Sequence, residues 1–91
     1  MKHGFGVETF KNGDKYKGEY EQGKFHGKGR YKWSNGNIYE GQFVMGLRTG
    51  AGKWRSSKSA GDMYIGMYLS DKKHGLGKYC WADGSMFEGM F

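Results

Sequence analysis

Three histidines, His3, His26 and His74, head the same short motif, written HGFG, HGKG and HGLG. Histidine ligates metals and titrates near neutral pH, so a regular series of histidines raises the question of a zinc site. The spacing argues against one. If equivalent residues sit on consecutive two-strand units, strands about 4.8 Å apart hold them ~10 Å from one another, and Zn–N bonds of about 2 Å cannot be shared across that gap. A turn or strand-end role is expected instead. Ser70 and Lys73, in SDKK, have the Ser-x-x-Lys spacing of serine acyl enzymes, but that chemistry needs a helix and partner motifs missing from this sequence; a solvated hairpin turn is the reading. The glycines of the histidine motif would cradle phosphate only if they led from a strand into a helix, and they fall within strands. With a single cysteine, Cys80, no paired carboxylates and no nucleophile elbow, the residues offer no catalytic, cofactor-binding or metal-binding constellation. The expectation is a non-enzyme without cofactors.

The elements that carry these residues follow from a repeat. The stretch HGKGRYKWSNGNIYEGQF, residues 26–43, returns as HGLGKYCWADGSMFEGMF, residues 74–91, and as HGFGVETFKNGDKYKGEY, residues 3–20. A fourth copy has Thr49 in the histidine place, followed by Gly50, Gly52 and Trp54. Copies start 23 residues apart, except that His74 follows Thr49 by 25, and the irregular SSKSAG at residues 56–61 is where the two extra residues fit. A period of this length marks an array of small supersecondary units.

Within a unit, Tyr16, Gly18 and Tyr20 alternate with Lys17 and Glu19, the period-two signature of a strand with unlike faces. A turn at Glu21, Gln22, Gly23 and Lys24 leads into a second strand in which Gly27, Gly29, Tyr31 and Trp33 alternate with Lys28, Arg30 and Lys32. Ser34, Asn35 and Gly36 then make the return. The fold class is therefore all-β, an elongated antiparallel sheet of consecutive hairpins. Glycine and aromatic residues share one parity, so a bare glycine provides a notch over which a ring from a neighbouring strand lies. The expected core comprises Tyr16, Gly18, Tyr20, Gly27, Gly29, Tyr31, Trp33, Tyr39, Gly41, Phe43, Gly50, Gly52, Trp54, Tyr64, Gly66, Tyr68, Gly75, Gly77, Tyr79 and Trp81. Aromatics form 18% of the chain, which makes this core aromatic rather than aliphatic. Each buried ring removes 150–250 Å² from water, an upper bound of roughly 4–6 kcal/mol. The second-strand rings Tyr31, Trp33, Trp54, Tyr79 and Trp81 are expected among those that supply it, with ~3–5 kcal/mol lost in Tyr31→Ala.

The pattern Tyr-x-Gly-x-aromatic, turn glycine, His-Gly-x-Gly and aromatic strand resembles the MORN repeat family. Tyr16, Gly18, Tyr20, Gly23, His26, Gly27 and Gly29 fill one unit; Tyr39, Gly41, Phe43, Gly46, Gly50 and Gly52 the next, with Thr49 for histidine; Tyr64, Gly66, Tyr68, His74, Gly75 and Gly77 a third, with Asp71 in the turn-glycine place. On this reading residues 1–15 are a partial repeat, 16–38, 39–63 and 64–86 are whole repeats and 87–91 begin another, in a section of a longer array. The resemblance implies an elongated twisted sheet and a scaffold role at membranes or the cytoskeleton, as in radial spoke head proteins of cilia, junctophilins, plant phosphoinositide kinases and a histone lysine methyltransferase. In the enzymes among these the repeats sit beside the catalytic domain.

Partners are read from the faces that the core leaves outside. Fifteen Lys plus Arg against nine Asp plus Glu give a net charge of +6, which favours anionic surfaces. Lys28, Arg30, Lys32, Lys53, Arg55 and Lys78 share the outward parity of the second strands and form a candidate anion-binding stripe. Ile65, Met67 and Met90, outward on first strands, form a candidate protein interface, because adaptable apolar side chains are costly to leave wet. The leading expectation is a non-enzymatic scaffold or adaptor in a cytoskeletal assembly, with a ciliary or flagellar axoneme as the specific place. The runner-up is a module on anionic membrane lipid, or a targeting segment of a larger enzyme. Nucleic acid ranks lower, since base stacking needs the aromatics that the core claims. Uncapped sheet ends add an expectation of self-association. A lone cysteine, no signal-like segment and no apolar run of membrane-spanning length read as cytosolic.

Overall fold

The computed structural model describes residues 3–57 and 61–91. Eight strands form one antiparallel sheet in chain order: β1 (Gly4–Thr9), β2 (Lys15–Glu21), β3 (Lys24–Lys32), β4 (Ile38–Val44), β5 (Leu47–Arg55), β6 (Met63–Leu69), β7 (Lys72–Cys80) and β8 (Met86–Met90). There is no helix among the described residues. The molecule measures 43 × 26 × 16 Å.

Turn chemistry alternates along the chain. At one end, Gln22-Gly23, Met45-Gly46 and Ser70-Asp71 close two-residue hairpins with positive φ at both positions, the geometry whose twist matches that of paired strands. At the other end, Asn12, Asn35 and Asp83 each accept a hydrogen bond from the backbone N–H two residues on, at 2.9, 3.0 and 2.8 Å. These turns place a left-handed glycine at Gly13, Gly36 and Gly84, the Asx-glycine chemistry read from Asn35 and Gly36. Between β5 and β6 the Ser56 N–H still bonds to the Asp62 carbonyl; residues 58–60, within the stretch assigned to the two-residue insertion, lie outside the described residues.

A row of glycines crosses all eight strands. Gly6, Gly18, Gly29, Gly41, Gly52, Gly66, Gly77 and Gly89 are successive cross-strand partners. Over it lie Tyr16, Tyr39 and Tyr64, none with any exposed surface. Their hydroxyls donate to the carbonyls of Glu19, Gln42 and Met67 at 2.8, 2.9 and 2.9 Å. A Cβ on Gly41 would stand 2.5 Å from the Gly52 Cα and 2.7 Å from the Tyr39 hydroxyl, and one on Gly52 would enter the Tyr39 ring. Gly27, Gly50 and Gly75 behave differently, which corrects the expectation that they too are notches for rings. The register slips beside each of them, so that Gly18 faces Gly29 while Tyr20 faces Phe25. Gly27, Gly50 and Gly75 take φ values of 80°, 100° and 82° to form this bulge. The space beside Gly27 holds the Glu19 carboxylate rather than a ring.

The core is also distributed differently from expectation. Its buried side chains, Tyr16, Tyr20, Tyr39, Phe43, Tyr64 and Tyr68, all come from β2, β4 and β6. Tyr31, Trp33, Trp54 and Tyr79 are partly buried against them, and Trp81 is 43% exposed. The reason is that the sheet is a single layer. First-strand rings lie flat over glycine and are sealed by neighbours, as where Phe25 stacks on Tyr16 with centroids 3.9 Å apart. Second-strand rings are covered only in part, Tyr31 by Phe10 and Trp33 by the Arg48 guanidinium, so the loss in Tyr31→Ala belongs at the lower end of the earlier range, about 3 kcal/mol.

Carboxylates stitch one unit to the next at the loop end. Asp14 accepts from the Tyr31 hydroxyl at 2.6 Å and from the Ser34 N–H at 2.8 Å; Asp62 accepts from Tyr79 at 2.8 Å and from the Ala82 N–H at 2.9 Å. The Tyr31 bond is the main reason that the Asp14 carboxyl is held below its ordinary range. Burial pushes Tyr16, Tyr31, Tyr39, Tyr68 and Tyr79 up to about 12.

Two predictions follow from this packing. Gly41→Ala should destabilise by about 3 kcal/mol, because the clash is with backbone. Tyr39→Phe should lose about 1 kcal/mol with its hydrogen bond, and Gly46→Ala about 1 kcal/mol from left-handed strain in open space. Urea denaturation measures all three, and Gly41→Ala no worse than Gly46→Ala would remove the glycine row from the account. The pH dependence should fall away on both sides. Phenols with raised values in the fold stabilise it fully below the unfolded value of ~10, and lose this as pH climbs from ~10 through about 12. Asp14, lowered in the fold, stabilises above ~4 and ceases to do so as pH drops below that value. Thermal melts across pH should show an acid limb that Asp14→Asn flattens; an unchanged acid limb in that variant would contradict the assignment.

Candidate functional site

The parity that turns rings to one face turns charges to the other. On this polar face Val7, Lys17, Arg30, Glu40, Lys53, Ile65, Lys78 and Glu88 are successive cross-strand partners. Arg30, Lys53 and Lys78 of the anticipated stripe fall in this row. Lys32 and Arg55 fall in the adjoining row with Lys15, Ile38 and Met63, and Lys28 lies on the other side, opposite Gln42. The six cations therefore do not stack into one stripe. A first strand intervenes between each pair of second strands and brings its own residues: Glu40 sits between Arg30 and Lys53, with its carboxylate 3.8 Å from the Arg30 Nε, and Ile65 separates Lys53 from Lys78.

The same pairing concentrates charge where the sequence reading did not place it. Lys15 faces Lys32, and Lys17 faces Arg30. With Lys28 they make an exposed group of five cations on β2 and β3. Like charges directly opposite in a sheet are destabilising, so this arrangement costs the fold something. It borders an open depression that also has Phe5, Glu40 and Gln42 in its walls.

Further along the polar face, Ile65, Met67 and Met90 are 46%, 42% and 68% exposed, and Leu76, opposite Met90, is 68% exposed. The structure brings Ile65 and Leu76 together with Lys78 and Glu88 around a second depression. Leu76 was missed, although its place in the repeat, the outward position held by Lys28 and Ala51 in earlier units, made it legible. The bulge adds a reason to single out Met67. In the first unit Glu19 turns back and accepts from the Lys28 N–H at 2.5 Å; in the second, the Gln42 side chain occupies the same space beside Gly50. Met67 offers no such acceptor.

The aromatic face carries a position that sequence reasoning passed over, the residue immediately before the histidine place: Phe25, Arg48 and Lys73. Arg48 hangs over Trp33, Tyr39 and Tyr68, its guanidinium 5.5, 5.7 and 5.0 Å from their centroids. Lys73 lies over Tyr64 and Tyr79 at 5.5 and 5.7 Å. Asp71 fixes Arg48: its carboxylate accepts from the Arg48 backbone N–H at 2.8 Å and from Nε at 3.2 Å, and its carbonyl accepts from Nη2 at 2.9 Å. Asp71 does so from a left-handed φ of 72° in a turn without glycine, a conformation that glycine adopts freely and that costs Asp something under about 1 kcal/mol. Phe25, Tyr31, Trp33, Phe43, Arg48 and Asp71 surround a cavity of about 270 Å³.

The histidines take separate structural roles. His3 Nδ1 accepts from the Gln22 N–H at 3.3 Å, a part that Thr49 plays for Ser70 at 3.2 Å. His26 Nε2 lies 3.0 Å from Glu21, and His74 is exposed. Among the described residues no three His, Cys, Asp or Glu side chains are grouped to hold a metal. Ser70 and Lys73 belong to a hairpin turn and the strand that follows it.

A family model for the MORN repeat matches the chain in four consecutive segments, residues 1–15, 16–38, 39–59 and 64–86. A comparison with curated proteins finds no match.

The facing cations generate a prediction of unusual sign. Lys17→Thr should raise stability by a few tenths to about 1 kcal/mol, since it removes a like-charge pair and adds a β-branched residue. The gain should shrink in high salt. Paired melts at low and high ionic strength test this; a loss of stability on substitution would mean that the cations are not in conflict.

Proposed function

The chain belongs to the MORN repeat family, whose repeats are in general non-catalytic modules for protein or membrane interaction, and we propose that it acts as a non-enzymatic scaffold that docks protein through Ile65, Met67, Leu76 and Met90. The observation that carries this reading is Met67. A polar acceptor serves the bulge in the first unit, yet the third unit forgoes it for an apolar side chain that is 42% exposed. Folding gives no reason for that exchange, whereas an apolar contact surface does. The assembly served is cytoskeletal, of the ciliary or flagellar radial-spoke kind, and the place is the cytoplasm; the resemblance of the repeats to those of such proteins supports this.

A second reading is favoured by the cations of β2 and β3, whose mutual repulsion an anionic lipid surface would relieve. At about 1 kcal/mol per cation, five give ~5 kcal/mol, an affinity between millimolar and micromolar. Membrane attachment would therefore need several arrays or a second contact.

Ile65→Glu with Met67→Glu should leave the melting curve intact, because both side chains point away from the core, and should remove the partners that co-purify with the wild-type chain. Retention of every partner by the folded variant would refute the protein interface. Sedimentation with phosphatidylserine vesicles addresses the alternative: adsorption that disappears between low and high salt, and in Lys17→Glu with Arg30→Glu, would favour lipid.

A further inference from the structure

The aromatic face holds a second site, separate from the polar-face patch. We propose that the aromatic face, from the cavity beside Trp33 and Arg48 across to Lys73 on β7, receives an acidic, apolar segment of a partner protein, with Arg48 and Lys73 meeting its carboxylates and the half-buried rings Trp33, Trp54 and Tyr79 meeting its apolar side chains. The first unit shows what the fold alone requires at this position: Phe25, which seals Tyr16 by stacking. The next two units place cations there. Lys73 is exposed over Tyr64 and Tyr79 and has no carboxylate partner among the described residues. Arg48 is held by Asp71 through Nε and Nη2, so Nη1 has no acceptor among the described residues.

Backbone strain supports the assignment. A glycine at the turn would relieve the left-handed φ of 72° at Asp71, as Gly23 and Gly46 do in the other units, but would release Arg48. Strain kept where a relaxed alternative is at hand marks a side chain whose placement matters. The remaining acids of this face do not compete for the cations: Asp14 and Asp62 sit at the loop end, each engaged by a tyrosine hydroxyl and a backbone N–H, and Glu8 lies on β1, where it accepts from the Tyr20 hydroxyl at 2.9 Å. Arg48 and Lys73 lie on strands two apart, hence ~10 Å from each other. An α-helix brings the same face round every seven residues, at about 10.5 Å, so the fitting segment is an amphipathic helix with acids at that interval.

The probes are two synthetic amphipathic helices with a leucine face, one with Glu at every seventh position and a twin with Lys there. Fluorescence anisotropy with the full chain at low salt should show the Glu peptide binding about tenfold tighter than its twin, the scale of one well-placed charge pair. Lys73→Glu, at an exposed side chain without an ion pair, should reverse that order, and Ile65→Glu with Met67→Glu should leave it unchanged. Equal binding of the two peptides, binding of neither, or an order that survives Lys73→Glu would overturn the proposal. Displacement of the Glu peptide by oligo(U) RNA would also overturn it, by assigning the rings to bases. The polar-face reading fails separately, through partner loss in the Ile65 and Met67 variant.

Discussion

One contact sets the terms for this protein: a tyrosine ring laid flat across two facing glycines, with its hydroxyl delivered to a backbone carbonyl just beyond. A lone sheet ordinarily lacks a second layer against which to bury side chains, and a two-stranded hairpin by itself is marginal in water. Here the backbone itself is the second surface. Because Gly18 and Gly29 carry no Cβ, the Tyr16 ring reaches the peptide plane, and because its hydroxyl bonds to Glu19, the polar end is satisfied although the ring is fully buried. The same solution appears at Tyr39 and Tyr64. Each instance requires its neighbour, since a ring from the following unit helps to seal each tyrosine, as Phe43 of β4 does for Tyr16 and Tyr68 of β6 does for Tyr39. Stability thus accumulates along the array through nearest-neighbour contacts.

This constraint also determines what is free to vary. Every unit solves the same folding problem, so positions that repeat unchanged report the fold, while those that differ from unit to unit report something else. Tyrosine at 16, 39 and 64 and the glycine row repeat. The outward series Glu19, Gln42, Met67 and Met90 does not, nor does Phe25, Arg48 and Lys73 on the other side. The first series moves from acid to apolar along the chain, and the second from apolar to cationic. The two faces therefore acquire opposite gradients on one backbone, and a partner seated at the β6 to β8 end meets apolar side chains on one face and Lys73 on the other.

Alternation and turn chemistry made most of the fold legible. Tyr16, Gly18 and Tyr20 announce a strand, and Asn35 with Gly36 its return. Two things were not legible, for physical reasons. The bulge at Gly27 is invisible to a period-two reading, which keeps counting through it; only the φ of 80° shows that the glycine bends the chain instead of making room for a ring. Cross-strand order was likewise inferred for second strands in isolation. Pairing interposes β4 and β6, so Glu40 and Ile65 break what looked like a cationic stripe, while Lys15 and Lys17 join it from β2. Sequence identifies the face of a residue more readily than its neighbours on that face.

Asp71 illustrates why departures from a repeat are informative when they come in pairs. The Gly46 N–H bonds to the Phe25 carbonyl, and the Asp71 N–H bonds to the Arg48 carbonyl at the equivalent place. Glycine pairs with phenylalanine in one unit and aspartate with arginine in the next. Each pairing is internally consistent. Phe25 needs nothing from the turn because stacking on Tyr16 positions it, so the turn can relax to glycine. Arg48 has a long flexible side chain that stacking alone does not fix, and it needs the carboxylate that only a strained Asp71 can supply. Were Arg48 present merely to cover Tyr39, an aromatic residue would cover it better and the strain would be unnecessary. The pair is therefore coherent only if a positioned cation on the aromatic face has a use, which moves the search for partners from the charged face, where composition directs attention, to the face that folding was expected to consume.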